Sequence, residues 1–353
     1  MKKASLFSVV SALALYLLLG LVGFGDAAGK GKPPPPQPTP SNPGIAFIAN
    51  GSIYVVDEDG TNRRLVLQSS KNIQYGEPSW SPSGNDLVFG IRSSDRLVAP
   101  GVYTIAKVLD TNGNWTGTWS SPLRVAHRAS SGFGRPAWRP NDDLIAYEDG
   151  NDIFIVQANG SSAPVNLTNS SGILTYFTWS PDGNAFAVME WHTDISDIVV
   201  FQYNGSTNPP TQIASLIREP SSPIASDCKA LSPQECLRVF GVSWSKTEPG
   251  LIAAAVNTRV SEWVYDIWCI NVASPLDVQN LSSSNNDSIK QRPTWSSDDN
   301  QLAFADRETR GIATMTLSYT NGTNSCPTRE GNQQTLVPSS GSKEVLESPD
   351  WRR

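Results

Sequence analysis

Six tryptophans in one recurring context predict an all-β fold: a six-bladed β-propeller of four-stranded antiparallel blades. Its ring is closed by N- and C-terminal strands in one blade. Three observations carry this. A Trp-centred block repeats at spacings of 58, 41, 65, 51 and 56 residues, a period that suits four short strands and their loops. Gly 27 and Pro 26 supply the many turns required. No stretch after residue 44 sustains helical periodicity.

The chain opens with Lys2 and Lys3 before an uncharged run from Ala4 to Phe24, and Gly25-Asp26-Ala27 offers small residues for a signal peptidase. Residues 1–27 are therefore expected to be a signal peptide, or an uncleaved anchor long enough to span a bilayer. Residues 28–43 contain Pro33-Pro34-Pro35-Pro36, Pro38, Pro40 and Pro43. Successive prolines fix φ and remove donors, so this is a stiff, extended spacer. Residues 44–353 form the propeller.

The repeat reads Pro-Ser-Trp80-Ser-Pro-Ser-Gly, Pro-Ala-Trp138-Arg-Pro-Asn-Asp, Phe-Thr-Trp179-Ser-Pro-Asp-Gly, Val-Ser-Trp244-Ser-Lys and Pro-Thr-Trp295-Ser-Ser-Asp-Asp, with Pro349-Asp350-Trp351 as a truncated sixth. In the third copy Leu174–Trp179 is a first strand, and Ser180-Pro181-Asp182-Gly183 has turn chemistry. Ala185–Met189 is a buried second strand and Ile198–Tyr203 a third. Asn204-Gly205 turns the chain into an outer strand at Thr211–Ala214. Asp57-Glu58-Asp59-Gly60 is read as another hairpin turn, because the final Glu of a calcium loop is absent. The C-terminal copy has a first strand only, whereas Ile45–Ile48, Ile53–Val56 and Arg64–Leu67 lack one. Together they complete one blade and close the ring.

Trp179-Ser-Pro-Asp-Gly183, Ile145-Ala-Tyr147 and the run Ile53-Tyr-Val-Val-Asp-Glu-Asp-Gly60 resemble the TolB-type propeller repeat over about residues 45–353. In that family an α/β domain precedes a six-bladed propeller that binds a peptidoglycan-associated lipoprotein. Here a Pro-rich spacer stands in its place. Similar blades occur in prolyl oligopeptidase relatives and in oligogalacturonate lyases, so the resemblance speaks to fold more than to function.

Composition removes several function classes. Net charge is −6, which disfavours nucleic-acid binding. Two histidines, His127 and His192, cannot supply the metal-binding cluster of an oligogalacturonate-type lyase. A serine hydrolase would need a nucleophile elbow, and none is present. No carboxylate pair is singled out by its spacing. No cofactor is expected, although a calcium ion in the central channel remains open.

The loops between second and third strands, joined by the inter-blade connections, converge on one rim. There the sequence gathers Arg92, Asp95 and Arg96; Glu148 and Asp149; Glu190, Trp191, His192 and Asp194; Arg259, Glu262 and Trp263; and Asp306, Arg307, Glu308 and Arg310. The candidate binding residues are Arg92, Glu190, Trp191, His192, Arg259, Trp263, Asp306 and Arg307. Tryptophans supply anchor area and arginines recognise carboxylates. Cys228 and Cys236 bracket a short helix expected at Ser232-Pro233-Gln234-Glu235 and are placed to bridge it. Cys269 and Cys326 either pair across blades or stay as reduced core residues.

The sequence thus points to an exported, periplasmic or secreted, monomeric and non-catalytic propeller. Its rim binds an envelope protein or peptide, and it meets a membrane only through an uncleaved N-terminal segment. The alternative is a carbohydrate-active or other hydrolase or lyase with carboxylates at the channel mouth.

Overall fold

A computed structural model describes residues 41–128, 132–191, 196–205, 210–217, 222–224, 238–257, 264–282, 289–319 and 325–353. The N-terminal segment and most of the spacer, the Ser232–Glu235 helix and the Cys228 and Cys236 pair lie outside them. Among the described residues no helix is long and apolar enough to cross a membrane.

Strands β1 (Ile45–Ala49), β2 (Ser52–Val56) and β3 (Arg64–Leu67) open the ring. Blade 1 follows as β4 (Ile73–Trp80), β5 (Asp86–Ser93), β6 (Gly101–Leu109), β7 (Trp115–Trp119) and β8 (Leu123–His127). Blade 2 is β9 (Ala137–Trp138), β10 (Leu144–Asp149), β11 (Asp152–Gln157) and β12 (Val165–Asn166). Blade 3 is β13 (Ile173–Trp179), β14 (Ala185–Trp191), β15 (Ser196–Gln202) and β16 (Thr211–Ser215). Blade 4 is β17 (Arg238–Trp244), β18 (Leu251–Asn257), β19 (Asp266–Asn271) and β20 (Val278–Asn280). Blade 5 is β21 (Lys290–Trp295), β22 (Gln301–Asp306), β23 (Gly311–Ser318) and β24 (Thr328–Val337). The last strand, β25 (Leu346–Trp351), pairs with β1 in the order β25-β1-β2-β3.

The ring is closed as the sequence implies. Ile45 faces Trp351 across the β1–β25 ladder. Each repeat tryptophan ends the innermost strand of its blade, and all six are buried. Successive blades are also stitched by hydrogen bonds from the backbone of this position. Trp244 N donates to Thr178 Oγ1 at 3.1 Å, Trp351 N to Thr294 Oγ1 at 3.2 Å, and Trp80 N to Asp350 Oδ2 at 2.7 Å. At these three junctions the residue before one tryptophan thus caps the strand of another blade.

Blade 1 departs from the four-strand plan. β6 carries two partners along one edge: β8 beside its first half, and β7 beside its extended second half. Asp57–Gly60 is a turn, with Gly60 at φ 80° and its N–H on Asp57 O at 2.9 Å, as its composition requires. Cys269 and Cys326 are joined by a disulfide with Cα atoms 5.7 Å apart. It ties β19 of blade 4 to the segment leading into β24 of blade 5.

The chain enters the propeller on the face away from the β1–β2 turn. Ser41 Oγ donates to Asp57 Oδ2 at 2.5 Å and accepts from Arg64 Nη1 at 3.3 Å, while Lys107 Nζ donates to Asn42 Oδ1 at 2.9 Å. From Ile45, β1 runs to the rim that carries the turns between second and third strands.

Candidate functional site

Two features share that rim: its outer surface and the mouth of the central channel. On the surface, Trp191 at the end of β14 is 36% exposed and stands opposite Ile173, 45% exposed. Leu97, in the connection from β5 to β6, is 94% exposed. The chain between them turns tightly: β10 and β11 are joined by Gly150 and Asn151 alone. Two apolar posts therefore flank a short hairpin on blades 1 and 3.

The sequence-derived candidates fall into different roles. The Arg92 guanidinium lies 4.3 Å from the centroid of the Phe133 ring. Glu190 is half-buried beside Trp191 and pairs across the strand with Leu174. Asp306 is buried, not presented: its carboxylate accepts from Glu308 N at 3.0 Å and Gln333 Nε2 at 2.9 Å. Arg307 stays at the surface, with Nη2 2.8 Å from Glu347. His192, Arg259 and Trp263 lie outside the described residues. The rim residue Glu148 is buried, because its carboxylate accepts from Thr175 and Tyr176 of blade 3 instead of facing water.

The channel contains a constellation that sequence reading missed. Counting back three residues from each tryptophan gives Glu77, Arg135, Tyr176, Gly241, Arg292 and Ser348. All six have positive φ, at 51°, 34°, 56°, 116°, 54° and 52° in that order. In the five blades other than blade 2, strand register slips across this position. In those five blades a bulge breaks the two-residue alternation and redirects the residue at this position, and all six residues line the channel. Left-handed backbone at five non-glycine residues is costly and persists only when the surroundings enforce it. The signal was legible only by aligning repeats on the tryptophan and reading the same offset in each.

These side chains close the rim end of the channel with charge pairs. Arg135 Nε lies 3.0 Å from Glu77 Oε2, and its Nη1 lies 2.7 Å from Glu148 Oε2. Glu77 also pairs with Arg292, which donates to Ser348 Oγ. Glu148 Oε1 accepts from Thr175 Oγ1 at 2.8 Å and from Tyr176 N at 2.6 Å. The Arg135 guanidinium lies 4.5 Å from the centroid of the Tyr176 ring. Burial opposes the charge on Arg135, but Glu77 and Glu148 outweigh it and hold the guanidinium above its ordinary value. Burial pushes the Glu148 carboxyl up against the pull of Arg135, and pushes the Tyr176 phenol up to about 12. Both Glu148 oxygens are engaged, and Glu77 sits between two guanidiniums.

A calcium ion does not fit this lining. Among the described residues four cationic side chains, Arg135, Lys246, Arg292 and Arg353, face the channel against two carboxylates, Glu77 and Asp350. Hard cations need several free oxygen ligands, and Glu77 is already held by two arginines.

No family model and no curated protein matches the sequence. Solved structures do match in shape. TolB from Acinetobacter baumannii superposes with a TM-score of 0.55 at 19% identity, over 89% of this chain and 68% of that one. A protein assigned as TolB from Agrobacterium tumefaciens gives 0.53 at 16% identity, over 89% of this chain and all of the other. A chain of a nidogen/laminin complex gives 0.56 at 11% identity, over 87% and 97%. With the split closing blade and the six in-register tryptophans, the fold of this chain is that of a TolB-like six-bladed β-propeller.

Proposed function

We propose that the protein is an exported, non-catalytic propeller of the cell envelope that binds a protein or peptide on the rim carrying Leu97, Ile173 and Trp191. The observation that carries this reading is the direction of entry. Ser41 and Asn42 are held on the opposite face by Asp57, Arg64 and Lys107, so a domain tethered by its Pro-rich spacer presents this rim outward.

Other features support it. Exposed apolar side chains among mixed charges suit a protein or peptide better than a polyanion. The Glu77 and Glu148 carboxylates are engaged by arginines and by Thr175 and Tyr176, which favours binding over hydrolysis. The Cys269–Cys326 disulfide fits an oxidising compartment. One chain of similar shape comes from a complex of nidogen and laminin.

Site-specific photo-crosslinking in intact cells tests the reading. A photoreactive residue at position 97 or 173 is expected to capture a defined envelope partner. The same probe at position 112, in the β6–β7 turn on the far face, is expected to capture none. Equal capture from both faces, or capture only from position 112, would refute rim binding.

A further inference from the structure

Beyond the rim, the channel itself is a cavity of about 150 Å³, roomy enough for several waters or a small ion. Its rim-side arginines share Glu77. Its other end holds Lys246 and Arg353 with one nearby lining carboxylate, Asp350. Lys246 Nζ donates to Trp351 O at 2.6 Å and stands 3.7 Å from Asp350 Oδ1. Asp350 commits its other oxygen to Trp80 N. Burial pulls both Lys246 and Arg353 below their ordinary values, with Asp350 and Asp299 offsetting only part of it. The Asp299 carboxylate already accepts from Ser245 Oγ, Lys246 N and Thr247 N. Among the described residues Asp350 is the one carboxylate that lines the lumen beside these two cations, and a further negative group between them would relieve the burial that opposes both charges.

The walls add donors. Thr178 Oγ1 accepts Trp244 N–H at 3.1 Å and Thr294 Oγ1 accepts Trp351 N–H at 3.2 Å. A lone pair of each hydroxyl is therefore used, and the O–H is what each offers the lumen. The Thr294 hydroxyl reaches Asp350 only at 3.5 Å.

We propose that the channel is a binding site for a small oxyanion, a phosphate or carboxylate group, held by Lys246 and Arg353 with help from the Thr178 and Thr294 hydroxyls. The full chain is titrated calorimetrically with sodium phosphate and, separately, with sodium acetate, at an ionic strength held constant with sodium chloride. Saturable binding of one anion per chain is expected, weakened at least about tenfold in Lys246→Met and in Arg353→Met. Binding of phosphate without acetate assigns a phosphate ligand, and the reverse assigns a carboxylate. Lys246 supports the ring through Trp351 O, so Arg353→Met serves as the variant that leaves that bond in place. No saturable heat with either anion overturns the proposal, as does unchanged affinity in a folded Arg353→Met protein.

Discussion

Removing the Cys269–Cys326 bridge should cost this propeller a large share of its stability. The disulfide closes a loop spanning 57 positions. Loop-closure entropy for a cross-link of that length corresponds to about 4 kcal/mol at 25 °C. Cys269 is fully buried and Cys326 nearly so, so loss of the sulfur atoms adds about 1 kcal/mol of packing. The perturbation is C269A/C326A rather than a reductant, which would act on any other disulfide. The assay is guanidinium denaturation followed by tryptophan fluorescence. The variant should show a lower midpoint and a steeper m-value, because its unfolded chain is freed to expand. A stability loss under about 1 kcal/mol would refute the argument that this bridge constrains the unfolded chain between blades 4 and 5.

Three further outcomes are expected. Gly90→Ala should cost about 3 kcal/mol of unfolding free energy in chemical denaturation, since the new Cβ would lie 1.6 Å from Phe133 O and backbone must move; a loss under about 1 kcal/mol contradicts that packing. Glu77→Ala should cost about 3 kcal/mol by leaving Arg292 without its carboxylate, and Glu77→Gln less, by the same denaturation measurement. Glu344 is held down to about 2 by hydrogen bonds from Arg63 and from Ser340 N. Its contribution is therefore complete above the unfolded carboxyl value of about 4.3 and is lost as pH falls toward 2. Arg63 is 23% exposed, so solvent screening reduces the contribution to about 1–2 kcal/mol. Glu344→Gln should flatten the pH dependence of the thermal midpoint between pH 4 and 2, roughly the span between those two values.

The features set by local sequence were legible, and those set by what a neighbouring segment or a bulge does to a side chain were not. Each tryptophan and its following turn sit in one local environment, so pattern alone placed the innermost strands and the closing blade. The β7 strand was invisible because Trp115-Thr-Gly-Thr-Trp119 continues an outer edge that the repeat assigns to a single strand. Glu148 and Asp306 were read as rim residues because a charged strand end looks solvated. Their burial depends on what the neighbouring segments place against them: Thr175 and Arg135 in one case, Gln333 in the other. The channel ring escaped because a bulge changes which way a side chain points without changing the residue. Spacing alone does not decide whether Cys269 and Cys326 pair, since it cannot fix which strands become neighbours.

The placement of β1 has a mechanical consequence. It is the first strand after the spacer, yet it lies inside its sheet, paired on one side with β2 and on the other with β25. Suppose the spacer is fixed and a bound partner pulls on the opposite rim. The load then runs along the β1 axis, and the ladders on both sides must yield together rather than one bond at a time. A strand at the sheet edge would share the same force with a single neighbour. The split blade therefore gives this domain a hold on the chain entering at Ile45 that resists shear.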